Sequence, residues 1–311
     1  MMNYWKTSQD ENCNMYSVDM LRIVLELRKD EVDQVLRYYH NPMRFDVKEY
    51  PVSFRDFTYR NMFTVEYEKG FTMTVGLVWN GTSAQDDMVK GFIEVNPNKC
   101  FIKPQCLYDV YYTLDKCVGY KVSRWDLAID IPTDRMSVVL GKDQRKYELV
   151  CKCKEDRTEY LGCRNEVGRV KVYNKTLESD LDYTLTRCEL TMPDYEDLNF
   201  FMKLDAIIPE VWIAGTDTGI DLTGLSDSQA LLVELIRQQE NPTLWLKRLE
   251  YRQRKKIEPY VFDGYKRLKV DTTCIEYIIA ELRDFFNPNR IFDNLCVLKR
   301  IIDNTLWDSE E

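Results

Sequence analysis

The chain has 311 residues, of which 44% are hydrophobic and 31% charged, a composition typical of a folded protein rather than a disordered one. Its net charge of −9 argues against a protein that coats nucleic acid regardless of sequence, and its single histidine excludes sites built on several histidines. We see no basic segment followed by an apolar block, and no apolar run near 18 residues, so we expect neither a signal peptide nor a membrane span.

The ten cysteines are scattered along the chain. Cys151 and Cys153 are closer together than the usual CxxC metal-binding pair, and no second pair matches them, so we expect reduced thiols. His40 follows a run that is typical of a helix end, where histidine usually caps the helix or lies on the surface. Any metal would therefore be held by carboxylates, which favours Mg²⁺ or Mn²⁺.

The first two thirds of the chain alternate between short helices and strands. In chain order we predict an ambiguous strand or helix "VDMLRIVLEL", a helix "KDEVDQVLRYYH", a hairpin "MFTVEYEKGFTMTVGLVW", a strand "GFIEVNPN" that ends in a turn, a helix "PQCLYDVYYTLDK", a strand "KVSRWDLAIDI", a hairpin of "RTEYLGCR" and "GRVKVYN", and a strand "TLTRCELTM".

The last third of the chain has helical patterns. We predict "LSDSQALLVELIRQQE", capped by Ser226 or Asp227, then "NPTLWLKRLEYRQRK", "DTTCIEYIIAELRDFF" and a last helix near "IFDNLCVLKRIID". The fold class is therefore α+β, a mainly antiparallel sheet with flanking helices, followed by a mostly helical C-terminal region. We divide it into domains at 1–210 and 211–311, with the boundary between residues 205 and 225.

Three of the predicted strands have one charged face each. The residues on these faces are Arg124, Asp126 and Asp130, then Arg169, Lys171 and Tyr173, and finally Arg187 and Glu189. If the strands are neighbours, these faces form one patch of carboxylates, cations and a tyrosine. Each alternation alone is more typical of a half-buried strand with one face in solvent than of a functional site. Asp126 and Asp130 are about 13 Å apart along an ideal strand, so at most one of them can bind a given ion directly unless the strand bends.

Four motifs, "RWDLAID", "TEYLGCR", "GRVKVYNKTLE" and "TRCEL", follow one another between residues 124 and 190. In this order they resemble the Rep_trans-type replication initiators, the rolling-circle initiator proteins of small Gram-positive plasmids and related phages. The same family includes relaxases of some integrative conjugative elements. The upstream "GFIEVNPNK" is also similar to a segment of such proteins, so the resemblance covers residues 15–200.

The resemblance implies a rolling-circle initiator fold and a metal-dependent enzyme that nicks one DNA strand at an origin and rejoins it. Tyr173 would be the nucleophile that forms a 5′-phosphotyrosine intermediate, with Lys175 and Arg187 as further catalytic residues. The implied ligands of Mg²⁺ or Mn²⁺ are Asp126, Asp130, Glu189 and Glu94. The residues expected to contact DNA phosphates here are Arg124, Arg164, Arg169 and Lys171.

The chemistry is consistent with these roles. A tyrosine with a pKa near 10 is mostly protonated at neutral pH, so it needs help to attack. A metal ion polarises the scissile phosphate, and neighbouring cations stabilise the charge of the transition state. The phosphotyrosine link preserves the bond energy, so the strand can be rejoined. This class of initiator does not need the histidine pair of other rolling-circle enzymes, in agreement with the single His40.

A basic segment in the C-terminal region stands out against the acidic background. Residues 241–270 contain nine basic and three acidic residues, a net charge of +6. This segment is either a helix face in solvent or a second DNA-binding surface, since phosphate contacts supply much of the affinity for DNA. Its candidate DNA-binding residues are Arg252, Arg254, Lys255 and Lys256.

The expected partner is origin DNA, single-stranded or cruciform, in the cytoplasm of a bacterial host, without contact to a membrane. A host helicase and a second copy of the chain are further expected partners. The alternatives that stay open are a relaxase of the same family, a catalytically inactive DNA-binding regulator and an interaction protein with solvated strand faces. Tyr173 by itself would most often be a structural residue, and Tyr160 is the nearest rival nucleophile.

Overall fold

The computed structural model describes residues 8–40, 46–49, 52–54, 57–69, 71–78, 88–151, 153, 155–164, 166–215 and 220–307. The strands are β1 (Ser8–Gln9), β2 (Met15–Arg28), β3 (Asp46–Glu49), β4 (Val52–Phe54), β5 (Phe57–Glu68), β6 (Phe71–Val78), β7 (Met88–Val95), β8 (Gly119–Ile131), β9 (Val138–Leu140), β10 (Tyr147–Cys151), β11 (Arg157–Leu161), β12 (Val170–Asn174), β13 (Thr186–Met192), β14 (Val211–Ala214) and β15 (Tyr265–Arg267).

The helices alternate with these strands in the first two thirds of the chain and dominate the last third. They are α1 (Lys29–Tyr39), α2 (Pro97–Cys100), α3 (Pro104–Asp115), α4 (Lys175–Ser179), α5 (Leu198–Phe201), α6 (Leu204–Ile207), α7 (Asp227–Arg237), α8 (Pro242–Leu246), α9 (Tyr251–Val261), α10 (Thr272–Phe285) and α11 (Pro288–Trp307).

A large antiparallel sheet forms the body of the molecule. Its strands are hydrogen-bonded in the order β10–β11–β12–β13–β8–β2–β7–β6–β5–β3, with β1 added to β2 and β4 added to β5. In the central strand β8, Trp125, Leu127 and Ile129 are buried in the core, as the alternation predicted. The same core includes side chains of α1, α3, α10 and α11, so helices cover the apolar face of the sheet. The fold class predicted from the sequence is confirmed.

Most of the predicted elements are present. The ambiguous segment at residues 18–27 belongs to strand β2, and both predicted hairpins form, as β5–β6 and β11–β12. His40 is the C-cap of α1, and Ser226 caps α7 through a capping box with Gln229. All ten cysteines are free thiols. None of the described helices combines the length and the apolar composition that a membrane crossing requires.

The prediction of one helix for "NPTLWLKRLEYRQRK" is wrong, because the segment forms two helices, α8 and α9, joined by a turn. Both helices pack against α7, and α8 is in addition tied to two strands. The side chain of Asn241, the N-cap of α8, donates to the Leu140 carbonyl of β9 and to Glu159 of β11. Residues 247–250 form the turn between the two helices.

The C-terminal region packs in two parts. Residues such as Val233, Ile257 and Val261 form a second, small apolar cluster beside the three-stranded sheet β15–β14–β9. Helices α10 and α11 instead complete the core of the large sheet, where Phe285 stacks on Tyr111 at 4.8 Å between ring centroids. The domain boundary near residue 210 stays a prediction, and the packing of the last two helices crosses it.

Candidate active site on the polar face of the sheet

Residues from β12, β13 and β8 lie side by side because these strands are neighbours in the sheet. Tyr173 is in register with Arg187, and Arg187 is in register with Asp130. In the next row of this face, Lys171 is in register with Glu189. Directly opposed side chains lie on the same face of a sheet, so these five residues form one patch. The structure thus brings together five of the residues that the sequence pointed to.

Asp19 of β2 joins this patch and was missed in the sequence. The register of β2 against β8 shifts between Val18 and Met20, so Asp19 is the extra residue of a β-bulge. Its carboxylate accepts hydrogen bonds from the Arg187 guanidinium and, at 3.3 Å, from the side-chain amide of Asn96. A bulge breaks the two-residue period, and the loss of strict alternation around "SVDM" was the only sequence sign of it.

Arg187 is held between two carboxylates. Its Nε and one terminal nitrogen donate to the two oxygens of Asp130 at 2.6 and 2.8 Å, and the other terminal nitrogen donates to Asp19. Burial alone would lower the pKa of Arg187, but hydrogen bonds and charge from the two carboxylates raise it above the ordinary value. A permanent, oriented cation therefore stands next to Tyr173.

Tyr173 is only 5% exposed, and its hydroxyl donates a hydrogen bond of 2.6 Å to Oε1 of Glu189. The Lys171 ammonium lies 3.7 Å from the centroid of the tyrosine ring and 3.2 Å from Oε2 of the same glutamate. Burial is the main reason that the pKa of Tyr173 is raised well above its ordinary value; the Glu189 charge adds to this, and Arg187 opposes it. The hydroxyl is therefore protonated at rest and has an acceptor for its proton in place.

Glu189 is suited to accept that proton. Burial raises its pKa above the ordinary value for a glutamate, Lys171 opposes this shift, and Asp19 adds to it. A carboxylate with a raised pKa is a stronger base than an exposed one, and it is already within hydrogen-bond distance of the tyrosine. The geometry is that of a nucleophile paired with a general base.

Asp126 lies on the same face, two residues along β8 from the row that holds Glu189. It is in register with Met20 of β2. Burial raises the pKa of Asp126, the Arg124 charge and a hydrogen bond from the Thr191 side chain oppose this shift, and the charges of Asp19 and Glu94 add to it. Nε of Arg124 lies 4.0 Å from Oδ1 of Asp126. An extra positive charge at Asp126 would therefore be favourable.

The predicted metal ligands do not gather around one point. Within the residues that the structure describes, no three His, Cys, Asp or Glu side chains are placed to share an ion. Glu94 lies on β7, where its Oε2 is 3.1 Å from Nε of Arg22. Oδ1 of Asp126, by contrast, is buried and has no hydrogen-bond partner. Mg²⁺ usually binds through one or two carboxylates together with water and substrate phosphates, so Asp126 fits a metal ligand of this kind.

The other predicted cations lie at varied distances from Tyr173. Lys175, the first residue of α4, is buried with its ammonium 5.8 Å from the tyrosine ring and bonded to Glu178. Arg169 places its guanidinium 4.5 Å from the ring centroid of Tyr160, so this rival tyrosine is on the same face but under a different cation. Arg164 is exposed in the loop that follows β11.

The basic residues of the C-terminal region lie on α9, apart from this patch. Arg252, Lys255 and Lys256 are exposed, and Lys256 bonds to the side chain of Gln229 on α7 at 2.9 Å. Arg254 is half-buried. The structure therefore places them on a second surface, next to the small apolar cluster.

The opposite face of the β11–β12 hairpin holds a buried ionic network that the sequence did not indicate. The side chains of Arg135 and Glu159 are 0% and 1% exposed and form an ion pair. Glu159 also accepts hydrogen bonds from the hydroxyl of Tyr147 at 2.7 Å and the amide of Asn241 at 2.6 Å. Because Glu159 is in register with Val172, this network supports the strand that carries Tyr173.

Comparison with solved structures shows similarity at low sequence identity, as one example illustrates. The chain is similar to the structure of the rolling circle replication initiator protein from Geobacillus stearothermophilus, with 15% sequence identity and a TM-score of 0.36 over 72% of this chain and 84% of that one. No protein-family model and no curated protein matches the chain.

Proposed function

We propose that the chain is a rolling-circle replication initiator that nicks and rejoins one DNA strand with Tyr173 as nucleophile. The observation that carries this proposal is the 2.6 Å hydrogen bond from the Tyr173 hydroxyl to Glu189, in a patch that also holds Lys171 and Arg187. A tyrosine that only packs against a strand face needs no general base and no row of cations. Two of the four motifs that resemble such initiators, "GRVKVYNKTLE" and "TRCEL", contain these same residues.

In the proposed reaction, the Tyr173 oxygen attacks the scissile phosphorus and the hydroxyl proton passes to Glu189. The bond between phosphorus and the 3′ oxygen breaks, the departing 3′ oxygen takes a proton from solvent water, and a free 3′-hydroxyl and a 5′-phosphotyrosine result. Attack by a 3′-hydroxyl on this phosphotyrosine reverses the step and rejoins the strand. General-base help of this kind contributes about 10²–10⁴-fold to a rate.

The cations would stabilise the charge that develops on the phosphate oxygens. Arg187 is fixed by Asp19 and Asp130 and cannot lose its proton, so it is ready before the substrate binds. Lys171 lies over the tyrosine ring, and it is part of the cover that leaves Tyr173 only 5% exposed. We infer that Lys171 moves onto the phosphate when DNA binds and that this movement exposes the nucleophile.

A divalent ion, Mg²⁺ or Mn²⁺, would be held by Asp126 together with the DNA phosphate and water. It would supply Lewis-acid polarisation of the phosphate. The proposal for this chain is that Asp126 binds and positions the ion, while Glu189 serves Tyr173 instead.

The exposed cations of α9 are the proposed second DNA contact. Arg252, Lys255 and Lys256 come from adjacent turns of one short helix that carries no acidic residue before Glu258. Salt-sensitive binding to phosphates is the behaviour expected of such a surface. It would hold origin DNA while the polar face of the sheet cuts one strand.

The decisive experiment is a covalent-adduct assay. The purified protein is incubated with supercoiled DNA of its own replicon and Mn²⁺, and the products are separated on a denaturing gel. We expect a protein–DNA adduct in the wild type and none in Tyr173→Phe, while Tyr160→Phe still forms it. An adduct that survives in Tyr173→Phe would remove Tyr173 from this role, and DNA binding without any adduct would indicate an inactive regulator.

A further inference from the structure

A small cavity lies on the polar face of the sheet, beyond Asp19 as seen from Tyr173. Its volume is about 210 Å³, room for about seven waters at ~30 Å³ each, which suits one flat heterocycle rather than a paired strand. It opens between β6, β7 and the short helix α2. The lining side chains that carry the argument are Met20, Thr72, Thr74, Glu94, Asn96 and Lys99.

The lining has an apolar side and a polar rim. The thioether of Met20 provides a surface against which a ring can pack. Lys99 is half-exposed and offers an ammonium, while Glu94 offers the carboxylate oxygen that is not paired with Arg22. The hydroxyls of Thr72 and Thr74 can donate or accept. Such a mixture of donors and acceptors around an apolar wall is how proteins read the edge of an unstacked base.

The cavity is joined to the candidate active site by one chain of contacts. Asn96, at its rim, donates to Asp19, and Asp19 accepts from Arg187, which stands beside Tyr173. A strand that runs across the patch would reach the cavity without leaving the protein.

The distance between Tyr173 and the cavity determines which base of a bound strand could reach the cavity. β7 is the fourth strand from β12 in the sheet order, about 19 Å at ~4.8 Å per strand. At ~3.4 Å per stacked nucleotide this corresponds to about six nucleotides, and an extended strand covers it with fewer. The cavity is therefore placed for a base near the nick, not for the base at the nick.

We propose that this cavity binds one unpaired guanine of the substrate strand and so contributes sequence specificity, an inference that rests on the proposed function. Guanine offers O6 to the Lys99 ammonium and, on the same edge, N1–H and the N2 amine to the Glu94 carboxylate. Thymine would place its O2 acceptor against that carboxylate. Adenine and cytosine would turn an amine toward the ammonium.

The test is a selection of single-stranded DNA from a random 20-nucleotide library, followed by sequencing of the bound pool. It uses full-length protein with Tyr173→Phe, so that no strand is cut, and it contains EDTA, so that metal binding plays no part. Lys99→Gln and Glu94→Gln are compared with Lys90→Gln. This control removes an exposed charge from β7, the strand of Glu94, outside the cavity. Thermal melting of each variant shows whether it is folded. If Glu94→Gln does not fold, Lys99→Gln alone provides the test, because Lys99 is half-exposed.

We expect one guanine position in the selected pool, and we expect Lys99→Gln to reduce the preference there by about 5- to 150-fold, while Lys90→Gln keeps it. A selected pool that is the same in Lys99→Gln and in the control would overturn the cavity assignment and leave the proposed function intact. A preference at that position for another base would overturn the recognition of guanine. If the protein binds no single-stranded DNA at all, both the proposed function and the cavity assignment are refuted.

Discussion

Replacing Glu189 by glutamine removes the proposed general base with little change in shape. The glutamine carbonyl can still accept the 2.6 Å hydrogen bond from the Tyr173 hydroxyl, but it cannot take up the proton. Lys171 loses its partner charge, and because its side chain is one-third exposed, this costs little stability. We therefore expect a folded variant in which adduct formation is slower by about 10²–10⁴-fold.

The assay for this variant is single-turnover adduct formation across a range of pH. In the wild type the rate should rise with pH as Glu189 loses its proton, and the rise should lie above the ordinary glutamate range because burial raises this pKa. In Glu189→Gln this rise should be absent. Glu178→Gln, which changes a carboxylate bonded to Lys175 next to the patch, is the matched control. A wild-type rate and pH profile in Glu189→Gln would refute the reasoning.

Three further changes test separate parts of the structure. Asp126 has a pKa raised by burial, so the folded state holds its proton at a pH where the unfolded chain has lost it; stability from this group is lost as pH rises through the folded pKa. Asp126→Asn should therefore melt at a higher temperature at pH 7.5, and the increase in melting temperature that Mn²⁺ gives the wild type should disappear. Arg187→Lys keeps the charge but loses the two-pronged contact with Asp130, so the adduct rate should fall at least about tenfold in the gel assay, and an unchanged rate would contradict a preset cation. Glu159→Ala leaves the Arg135 guanidinium buried without its partner, so urea unfolding should show a loss of about 3–5 kcal/mol, whereas a loss below 1 kcal/mol would mean that water reaches this network.

The strand faces could be predicted from sequence because they depend on a period of two residues alone. Arg187 and Glu189 on one side of β13 and Cys188 on the other follow directly from the alternation, and the structure has them so. The order of the strands in the sheet does not follow from such a pattern, since it is set by packing between distant segments. The hairpin of β11 and β12 was predictable from its short loop, but the insertion of β13 between β12 and β8 was not.

The hydrogen-bond partners of Glu189 could not be predicted from the pattern of residue types. As one of several carboxylates on a charged face, it resembled a metal ligand as much as Asp126 did. Their partners depend on side-chain reach across strands: Glu189 accepts hydrogen bonds from Tyr173 and Lys171, while Oδ1 of Asp126 has only Arg124 at 4.0 Å and no hydrogen-bond donor. Asp19 could not be predicted for a different reason. The bulge that puts it beside Arg187 is seen only in the register of β2 against β8.

The cations of the patch at rest are paired with carboxylates of the same patch, and this bears on how the proposed cutting would be controlled. Asp19 and Asp130 both hold Arg187, and Glu189 holds both Lys171 and the Tyr173 hydroxyl. On the proposed function, an entering phosphate would have to attract Lys171 away from Glu189, and a strand held elsewhere on the protein would supply the high local concentration that this requires. The same displacement would uncover Tyr173, which is 5% exposed. On this proposal, binding of the correct strand and exposure of the tyrosine would be one event, and a loosely bound DNA of the wrong sequence would meet a tyrosine that is covered and still protonated.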